Sequence, residues 1–280
     1  MSDLIIENGI VRSCQEKLLL TVDIPPGVKA IDNGVFSGMK NLISITFPAS
    51  LNYIGDSAFQ GCKKLTEINL SGINHLGDQA FMGCSSLKSV IIGKNLPFIC
   101  NSTFLGCSSL AEIDLPENIT YIGCEAFKDC TALAEIKMNA VMEIDNNAFE
   151  GCTELHSIVF PSTLIHIAPN AFSFCRNLGT VTFCTRFVDI DETAFDYTVN
   201  MVFKAVQNSS AYNYSRKYQN IVFQPIILNR DALEITTEQL EMLKNSDVMF
   251  MSKLAPNAAD KAFIVFDESQ RSTIIKIIGG

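Results

Sequence analysis

The sequence lacks any excess of positive charge. It has 21 Lys and Arg residues against 30 Asp and Glu residues, and its formal net charge is −9. Proteins that bind a phosphate backbone need a positive field, so nucleic acid is not expected as a partner. Strongly anionic membrane surfaces are disfavoured for the same reason.

Long apolar runs are also absent. No stretch approaches the roughly 20 residues of a membrane-spanning helix, so no membrane insertion is predicted. The start, MSDLIIENGIVRSC, has neither a basic region nor a long apolar core and is not a signal peptide as it stands. This start favours a cytoplasmic protein, whereas a cell-surface or secreted protein would follow if a leader had been removed.

Sequence motifs of catalysis and metal binding are missing as well. No G-x-S-x-G, H-E-x-x-H or P-loop pattern occurs, and no two cysteines form a C-x-x-C pair. The sequence has 3 histidines, and none falls among the regularly spaced cysteines described below. We therefore predict a non-enzymatic protein without a cofactor or a metal.

The chain does contain a repeated sequence motif. "AFEGCTELHSIVFP" begins at Ala148, and close copies begin at Ala58, Ala80 and Ala126. Eight phenylalanines share the second position of this motif and recur every 22 or 23 residues: Phe36, Phe59, Phe81, Phe104, Phe127, Phe149, Phe172 and Phe195. A steady period in the low twenties is typical of a solenoid with one short coil per repeat.

Each repeat begins with an alternating run that predicts a half-buried strand. In the first repeat Leu42, Ile45 and Phe47 would face inward, whereas Ser44 and Thr46 would face outward. Because one coil cannot bury its apolar face alone, the inward residues of neighbouring coils must stack on one another.

A second short segment and a turn complete each repeat. The second segment reads "LNYIG" at 51–55, and the turn reads A-F-x-G-C, where glycine permits a tight backbone conformation. Asp or Asn precedes this turn in several coils and is predicted to accept backbone N–H bonds at the start of a short helical turn. These residues are Asp56, Asp78, Asn101 and Asn146.

The whole pattern, L-x-x-I-x-φ-P followed by I-G-x-x-A-F-x-G-C-x-x-L, resembles the BspA-like class of leucine-rich repeats over residues 25–203. The resemblance implies a right-handed β-solenoid with parallel strands and short helical turns. It also implies protein binding, often adhesion to host proteins, and no catalysis. Residues 1–24 look like the N-terminal hairpin cap of that family, with Asn8-Gly9 as the turn, and 204–224 like its closing coil with a short Tyr-rich helix.

Residues 225–280 carry no repeat and read as a small α+β segment. Thr236 opens a predicted helix that runs to about Asn245. The runs at 247–254, 261–267 and 272–280 read as strands, and the last two form a predicted hairpin around 268–271. This segment either caps the last edge of the solenoid or is a separate module.

Six of the ten cysteines occupy the repeat position itself and are predicted to be reduced, buried packing residues. They are Cys62, Cys84, Cys107, Cys130, Cys152 and Cys175, here called the ladder cysteines. Cys14, Cys100, Cys124 and Cys184 lie off this position and are expected to be more accessible.

Two outward surfaces are candidates for contact with a protein partner. The first, the acidic patch, consists of Glu67, Glu112, Asp114 and Glu135 on the outward side of the repeat strands, with Asn69 and Lys137 beside them. The second, the aromatic flank, consists of Tyr53, His75, Phe98 and Tyr121 at one position of the second segment. Exposed aromatic residues in a row are typical of binding surfaces, although either set could also be an ordinary solvated face. The partner's identity and the oligomeric state do not follow from the sequence.

Overall fold

The computed structural model describes residues 4–226 in full and, as backbone strands only, 234–235, 262–267 and 272–276. The chain begins with a hairpin, in which β1 (Leu4–Glu7) pairs antiparallel with β2 (Ile10–Cys14). Asn8 and Gly9 between them have φ values of +53° and +76°. Positive φ at both central residues is the signature of a tight two-residue hairpin turn, as the Asn-Gly pair predicted.

A column of parallel main strands follows, one in each coil. It comprises β3 (Thr21–Asp23), β5 (Ser44–Thr46), β7 (Glu67–Leu70), β9 (Ser89–Ile92), β11 (Glu112–Leu115), β13 (Glu135–Met138), β15 (Ser157–Phe160), β17 (Thr180–Phe183), β19 (Met201–Ala205) and β20 (Ile221–Pro225). Their hydrogen bonding is interrupted: the paired groups are β3-β5, β7-β9, β11-β13 and β15-β17-β19-β20.

Two-residue second strands form another parallel column. They are β4 (Ala30–Ile31), β6 (Tyr53–Ile54), β8 (His75–Leu76), β10 (Phe98–Ile99), β12 (Tyr121–Ile122), β14 (Glu143–Ile144), β16 (His166–Ile167) and β18 (Asp189–Ile190). One sheet runs β1-β2-β4-β6-β8 and another runs β10-β12-β14-β16-β18. The architecture is therefore a parallel-strand β-solenoid, as the repeat predicted.

The eight repeat phenylalanines form one continuous stack inside the solenoid. Consecutive ring centroids lie 5.0–5.8 Å apart, and the rings are within 17° of parallel. Seven of the rings are fully buried, and Phe195 at the end of the stack is 4% exposed. Each ring therefore contacts the same ring of the next coil, which confirms the register of the repeat.

The A-F-x-G-C segments are turns rather than helices. Within one coil Cys62 N–H donates to Phe59 O at 3.1 Å, which closes a turn across three residues. Phe59 N–H instead donates to Ala80 O of the next coil at 2.8 Å. Because N–H groups are used between coils, the pattern of an α-helix cannot form here. The α-helix among the fully described residues is α1 (Ser210–Ser215), which leads into β20.

The predicted role of the Asp and Asn residues ahead of the turn is corrected by the structure. Asn33, Asp56, Asp78 and Asn101 each accept an N–H bond, but from the equivalent residue of the next coil, at 2.8–3.0 Å. The series ends at Cys124, and Asn146 donates its N–H to Asp145. A short polar side chain reaches the next coil more easily than its own turn because the coils are stacked at strand spacing.

In three coils glycine follows the inward Ile or Leu of the second strand, at Gly55, Gly77 and Gly123, where the Asp or Asn of the preceding coil lies very close. A Cβ atom on Gly77 would lie 2.5 Å from Asp56 N, and one on Gly123 would lie 2.9 Å from Asn101 N. Real side chains do not approach a backbone that closely, so a larger residue would push the coils apart. The reason for glycine here is close approach, since neither residue has a positive φ.

At the other end, β21 (Glu234–Ile235), β22 (Ala262–Asp267) and β23 (Ser272–Lys276) form an antiparallel sheet. Asp267 pairs with Ser272, which confirms the predicted hairpin around 268–271. The predicted helix from Thr236 and the predicted strand at 247–254 lie outside the described residues. Among the residues that are described, no helix has the length and apolar character needed to cross a membrane.

Candidate binding surfaces

Part of the acidic patch is assembled by the pairing of β11 with β13. Glu112 is registered opposite Glu135, and Asp114 is registered opposite Lys137. All four side chains are exposed, since the alternate residues Ile113 and Ile136 fill the core. Lys137 Nζ lies 3.1 Å from Asp114 Oδ1, so Lys137 offsets one of the three negative charges on these strands.

Glu67 and Asn69 belong to the same face but not to the same pair of strands. They lie on β7, which pairs with β9, and no pairing links β9 to β11 among the described strands. Glu67 is registered opposite Ser89 and Asn69 opposite Ile91, so uncharged residues separate Glu67 from the other carboxylates. The structure therefore brings together Glu112, Asp114, Glu135 and Lys137, and places Glu67 and Asn69 two strands away.

A shallow groove of about 340 Å³ adjoins these charges at the interruption between β13 and β15. Glu135 and Lys137 line one side of the groove, and Ser157 and Val159 line the other. Val159 is 56% exposed, which gives the groove an apolar wall beside a carboxylate. The groove therefore combines charged and apolar surface.

The aromatic flank consists of two pairs rather than an unbroken strip. Tyr53 and His75 stack with ring centroids 4.5 Å apart, and Phe98 is registered opposite Tyr121. The described second strands show no pairing between β8 and β10, which separates the pairs. Tyr53 and Phe98 are 38% and 40% exposed, whereas Tyr121 is half-buried and donates its hydroxyl to Asp145. Burial, followed by that hydrogen bond, raises the pKa of Tyr121 above its usual value.

The ladder cysteines are fully buried, and each has a hydrogen-bonding role that the sequence did not reveal. Every Sγ donates to the carbonyl oxygen of the repeat phenylalanine one coil earlier, at 3.1–3.3 Å. A thiol must stay protonated to donate, and burial ensures this by raising the pKa of Cys62 and Cys175 to about 12. None of the six forms a disulfide. These residues are therefore structural.

The prediction that Cys14 is accessible is wrong. Cys14 is 2% exposed because it ends β2 on the inward side of that strand. Cys100, Cys124 and Cys184 are partly exposed. Burial also raises the pKa of Cys100, to about 12, and its Sγ lies 2.7 Å from Leu76 O. Within the described ranges, no three His, Cys, Asp or Glu side chains converge as a metal site would require.

The sequence reasoning missed a stacked aromatic pair on the turns of the last coils. Phe174 and Tyr197 occupy the glycine position of A-F-x-G-C, and their ring centroids lie 4.5 Å apart. The loss of glycine from both A-F-x-G-C segments was the signal that could have revealed it.

The fold and its repeated side chains define a leucine-rich-repeat solenoid. Residues 6–133 and 74–202 match the family described as "BspA type Leucine rich repeat region", in 6 copies. The chain belongs to this family, as the resemblance predicted. None of the curated proteins compared with the chain matches it.

Solved structures of similar proteins come from several bacteria. A leucine-rich repeat protein from Bacteroides ovatus is 29% identical with a TM-score of 0.55, over 75% of this chain and 54% of that one. One from Eubacterium ventriosum is 27% identical with a TM-score of 0.55, over 59% of this chain and 46% of that one. This chain thus spans about half the length of these two proteins. A leucine-rich cell surface protein from Faecalibacterium prausnitzii shares the fold at 16% identity, with a TM-score of 0.51, over 82% of this chain and 94% of that one.

Proposed function

We propose that this protein is a non-enzymatic binding module that contacts another protein through the outward face of its main strands. The contact centres on Glu112, Asp114, Glu135 and Lys137, and it extends to Glu67 and Asn69. Membership of a leucine-rich repeat family supports a binding role, because solenoids use their extended faces for recognition. Adhesion is the form of binding that the BspA resemblance implies.

The observation that carries this proposal is the placement of Glu112 directly opposite Glu135. Like charges facing each other across paired strands are unfavourable by roughly 0.2–1 kcal/mol. Folding does not need either carboxylate, since both side chains lie outside the core. A partner that brings positive charge would relieve this repulsion and would gain from the summed field of the patch.

The groove between β13 and β15 refines the partner's chemistry. Its carboxylate and its exposed Val159 suit a long basic side chain, whose aliphatic stem would cover the valine while its charge meets Glu135. We therefore expect a Lys or Arg of the partner to enter this groove. The remaining charges of the face then act mainly on the rate of association.

Kinetic measurements on a charge-reversed variant test the proposal. A pull-down with the intact chain supplies the partner, and surface plasmon resonance then follows Glu112→Lys/Glu135→Lys at several salt concentrations. Association should be at least tenfold slower at low salt, and its dependence on salt should weaken. The melting temperature should change little, because both side chains lie outside the core and the variant exchanges one like-charged pair for another.

Glu117→Lys/Glu154→Lys is the matched control. Both residues are exposed, lie outside the main strands and change the net charge by the same amount. If this control slows association as much as the strand-face variant does, the effect is one of overall charge and the proposed face is not the site.

The aromatic flank is the second candidate surface, favoured by the exposure of Tyr53 and Phe98. Buried aromatic anchors mainly determine how slowly a complex dissociates. Tyr53→Ala/Tyr121→Ala should therefore speed dissociation if this flank is used and leave it unchanged if the strand face alone binds. Unchanged binding in both double variants would reject both surfaces.

A structural scaffold that displays residues 225–280, or is capped by them, is the rival function. The observation that favours it is that β21, β22 and β23 form a sheet of their own among the described strands. Deleting 227–280 leaves β20 intact and separates the possibilities. A deletion variant that stays folded and still binds supports the strand-face proposal, a folded variant that loses binding assigns the activity to the deleted segment, and aggregation identifies a cap.

A further inference from the structure

Two bulky aromatic residues occupy a backbone position that most coils give to glycine. Gly38, Gly61, Gly83, Gly106 and Gly151 have φ values from +71° to +76° at this position of the turn. Asp129 holds this position in one coil with a φ value of +57°, and Phe174 and Tyr197 hold it in the last two repeats with φ values of +59° and +57°. Left-handed backbone is rare for large side chains, because Cβ crowds the following carbonyl oxygen.

The two side chains together form what we call the ridge pair. Their rings are 7° from parallel, so Phe174 covers one face of Tyr197. Tyr197 is 70% exposed, and no other described ring stacks on it. The pair therefore presents one flat aromatic face to solvent, although the core needs neither ring. Stacked aromatic rings kept at an exposed position are typical of a binding surface.

Charge beside the pair indicates what would bind there. Asp196 directly precedes Tyr197 and is partly exposed, in a chain whose net charge is −9. Glu192 lies one turn earlier and is partly offset by Lys217 at 3.5 Å, while Arg176 is the exposed cation nearest in sequence to Phe174. Among the described residues the cation found over an aromatic ring is Arg216, over Tyr212, so the ridge pair holds none.

We propose that the ridge pair is a binding site for an arginine side chain of a protein partner. The planar guanidinium would stack on the free face of Tyr197 and donate to the Asp196 carboxylate. Arginine fits better than lysine because it combines stacking with directed hydrogen bonds. This site lies on the turns rather than on the strand face. The proposal can therefore be tested independently of the binding surface proposed above.

The test uses the full chain and the peptide acetyl-Gly-Arg-Gly-Arg-Gly-amide at 150 mM salt. Proton NMR of the peptide should show the arginine δ-methylene signals moving upfield, because they lie over an aromatic ring. In Tyr197→Gly this shift should vanish and affinity should fall roughly two- to fivefold, which is the range for an exposed cation–π contact. Glu112→Lys/Glu135→Lys should keep the shift, and the lysine version of the peptide should give a smaller one.

Thermal melts supply the second readout. Tyr197→Ala removes the ring but keeps a side chain in the left-handed backbone, whereas Tyr197→Gly removes both the ring and the strain. The glycine variant should therefore melt above the alanine variant. A Tyr197→Gly protein that melts below Tyr197→Ala would show that the position is not strained.

Three other outcomes would overturn the proposal. One is the absence of an upfield shift in the wild-type protein, and another is a shift that persists in Tyr197→Gly. The third is a Tyr197 ring signal that responds to maltohexaose but not to the arginine peptide, which would make the ridge pair a sugar-stacking surface instead.

Discussion

Replacing Phe127 with alanine probes the central stack of the solenoid. The Phe127 ring is fully buried between Phe104 at 5.5 Å and Phe149 at 5.2 Å. Burial of a phenylalanine is worth about 1.5–3 kcal/mol, and a cavity left in a core adds to the loss. The strands β12 and β14 remain paired on either side and limit collapse into the space. We therefore expect the free energy of unfolding to fall by about 3–5 kcal/mol.

Phe36→Ala is the matched comparison within the same stack. Phe36 is equally buried but has one stacked neighbour, Phe59, because it begins the series. Its loss should be smaller than that of Phe127 by about one aromatic pair, or about 0.5–1.5 kcal/mol.

Urea unfolding followed by far-UV circular dichroism measures both losses, since the sequence has no tryptophan to report by fluorescence. A loss below ~1 kcal/mol for Phe127→Ala would refute the stacked register, given that core Phe→Ala changes cost several times more. A Phe36→Ala loss equal to or larger than that of Phe127→Ala would refute the additive contribution of the neighbouring rings.

Three further outcomes follow from the packing between coils. Gly77→Ala should destabilise the protein by about 1–3 kcal/mol. Gly179→Ala is the control, because its Cβ would meet nothing closer than 3.9 Å, and it should change stability by less than ~0.5 kcal/mol. Equal shifts in melting temperature would contradict the steric argument. Maleimide labelling of the native protein should reach Cys124 and Cys184 well before Cys130, and simultaneous labelling would show that the ladder cysteines are not enclosed. Burial raises the pKa of the ladder thiols, so these thiols ionise at lower pH in the unfolded chain than in the folded one. The free energy of unfolding should therefore be at its full value below pH ~9. Above that pH it should fall by up to about 1.4 kcal/mol per pH unit for each thiol. Melting at pH 8 and pH 10 checks this, and Cys130→Ala should flatten the slope.

Much of the fold could be predicted because each coil repeats the same local sequence pattern. Phenylalanine every 22 or 23 residues, an alternating strand and an Asn-Gly turn each act over a few neighbouring residues. Identical coils stack with identical residues in contact, so the sequence period alone was enough to predict the aromatic stack and the burial of the ladder cysteines. The outward positions of the two candidate surfaces followed from the same alternation.

Other features depend on contacts between coils that no single repeat encodes. The Asp and Asn side chains ahead of the turn were predicted to accept N–H bonds at the start of the turn, but the stacking distance favours the N–H of the next coil. These hydrogen bonds between coils also explain the glycines at 55, 77 and 123, because the bonded Asp or Asn of the preceding coil leaves no room for a Cβ atom. Burial of Cys14 likewise depended on how the hairpin packs onto the first coil.

The candidate binding surfaces also depend partly on local sequence and partly on contacts between coils. The sequence predicted which side chains point outward, because alternation along one strand is a local property. Only the tertiary structure decided which of them are neighbours, since interruptions in the main sheet separate Glu67 from Glu112 and leave a groove beside Glu135. The left-handed backbone of Phe174 and Tyr197 was equally undetermined by the sequence, because the stacked coils, rather than the preference of either residue, impose the conformation at that turn.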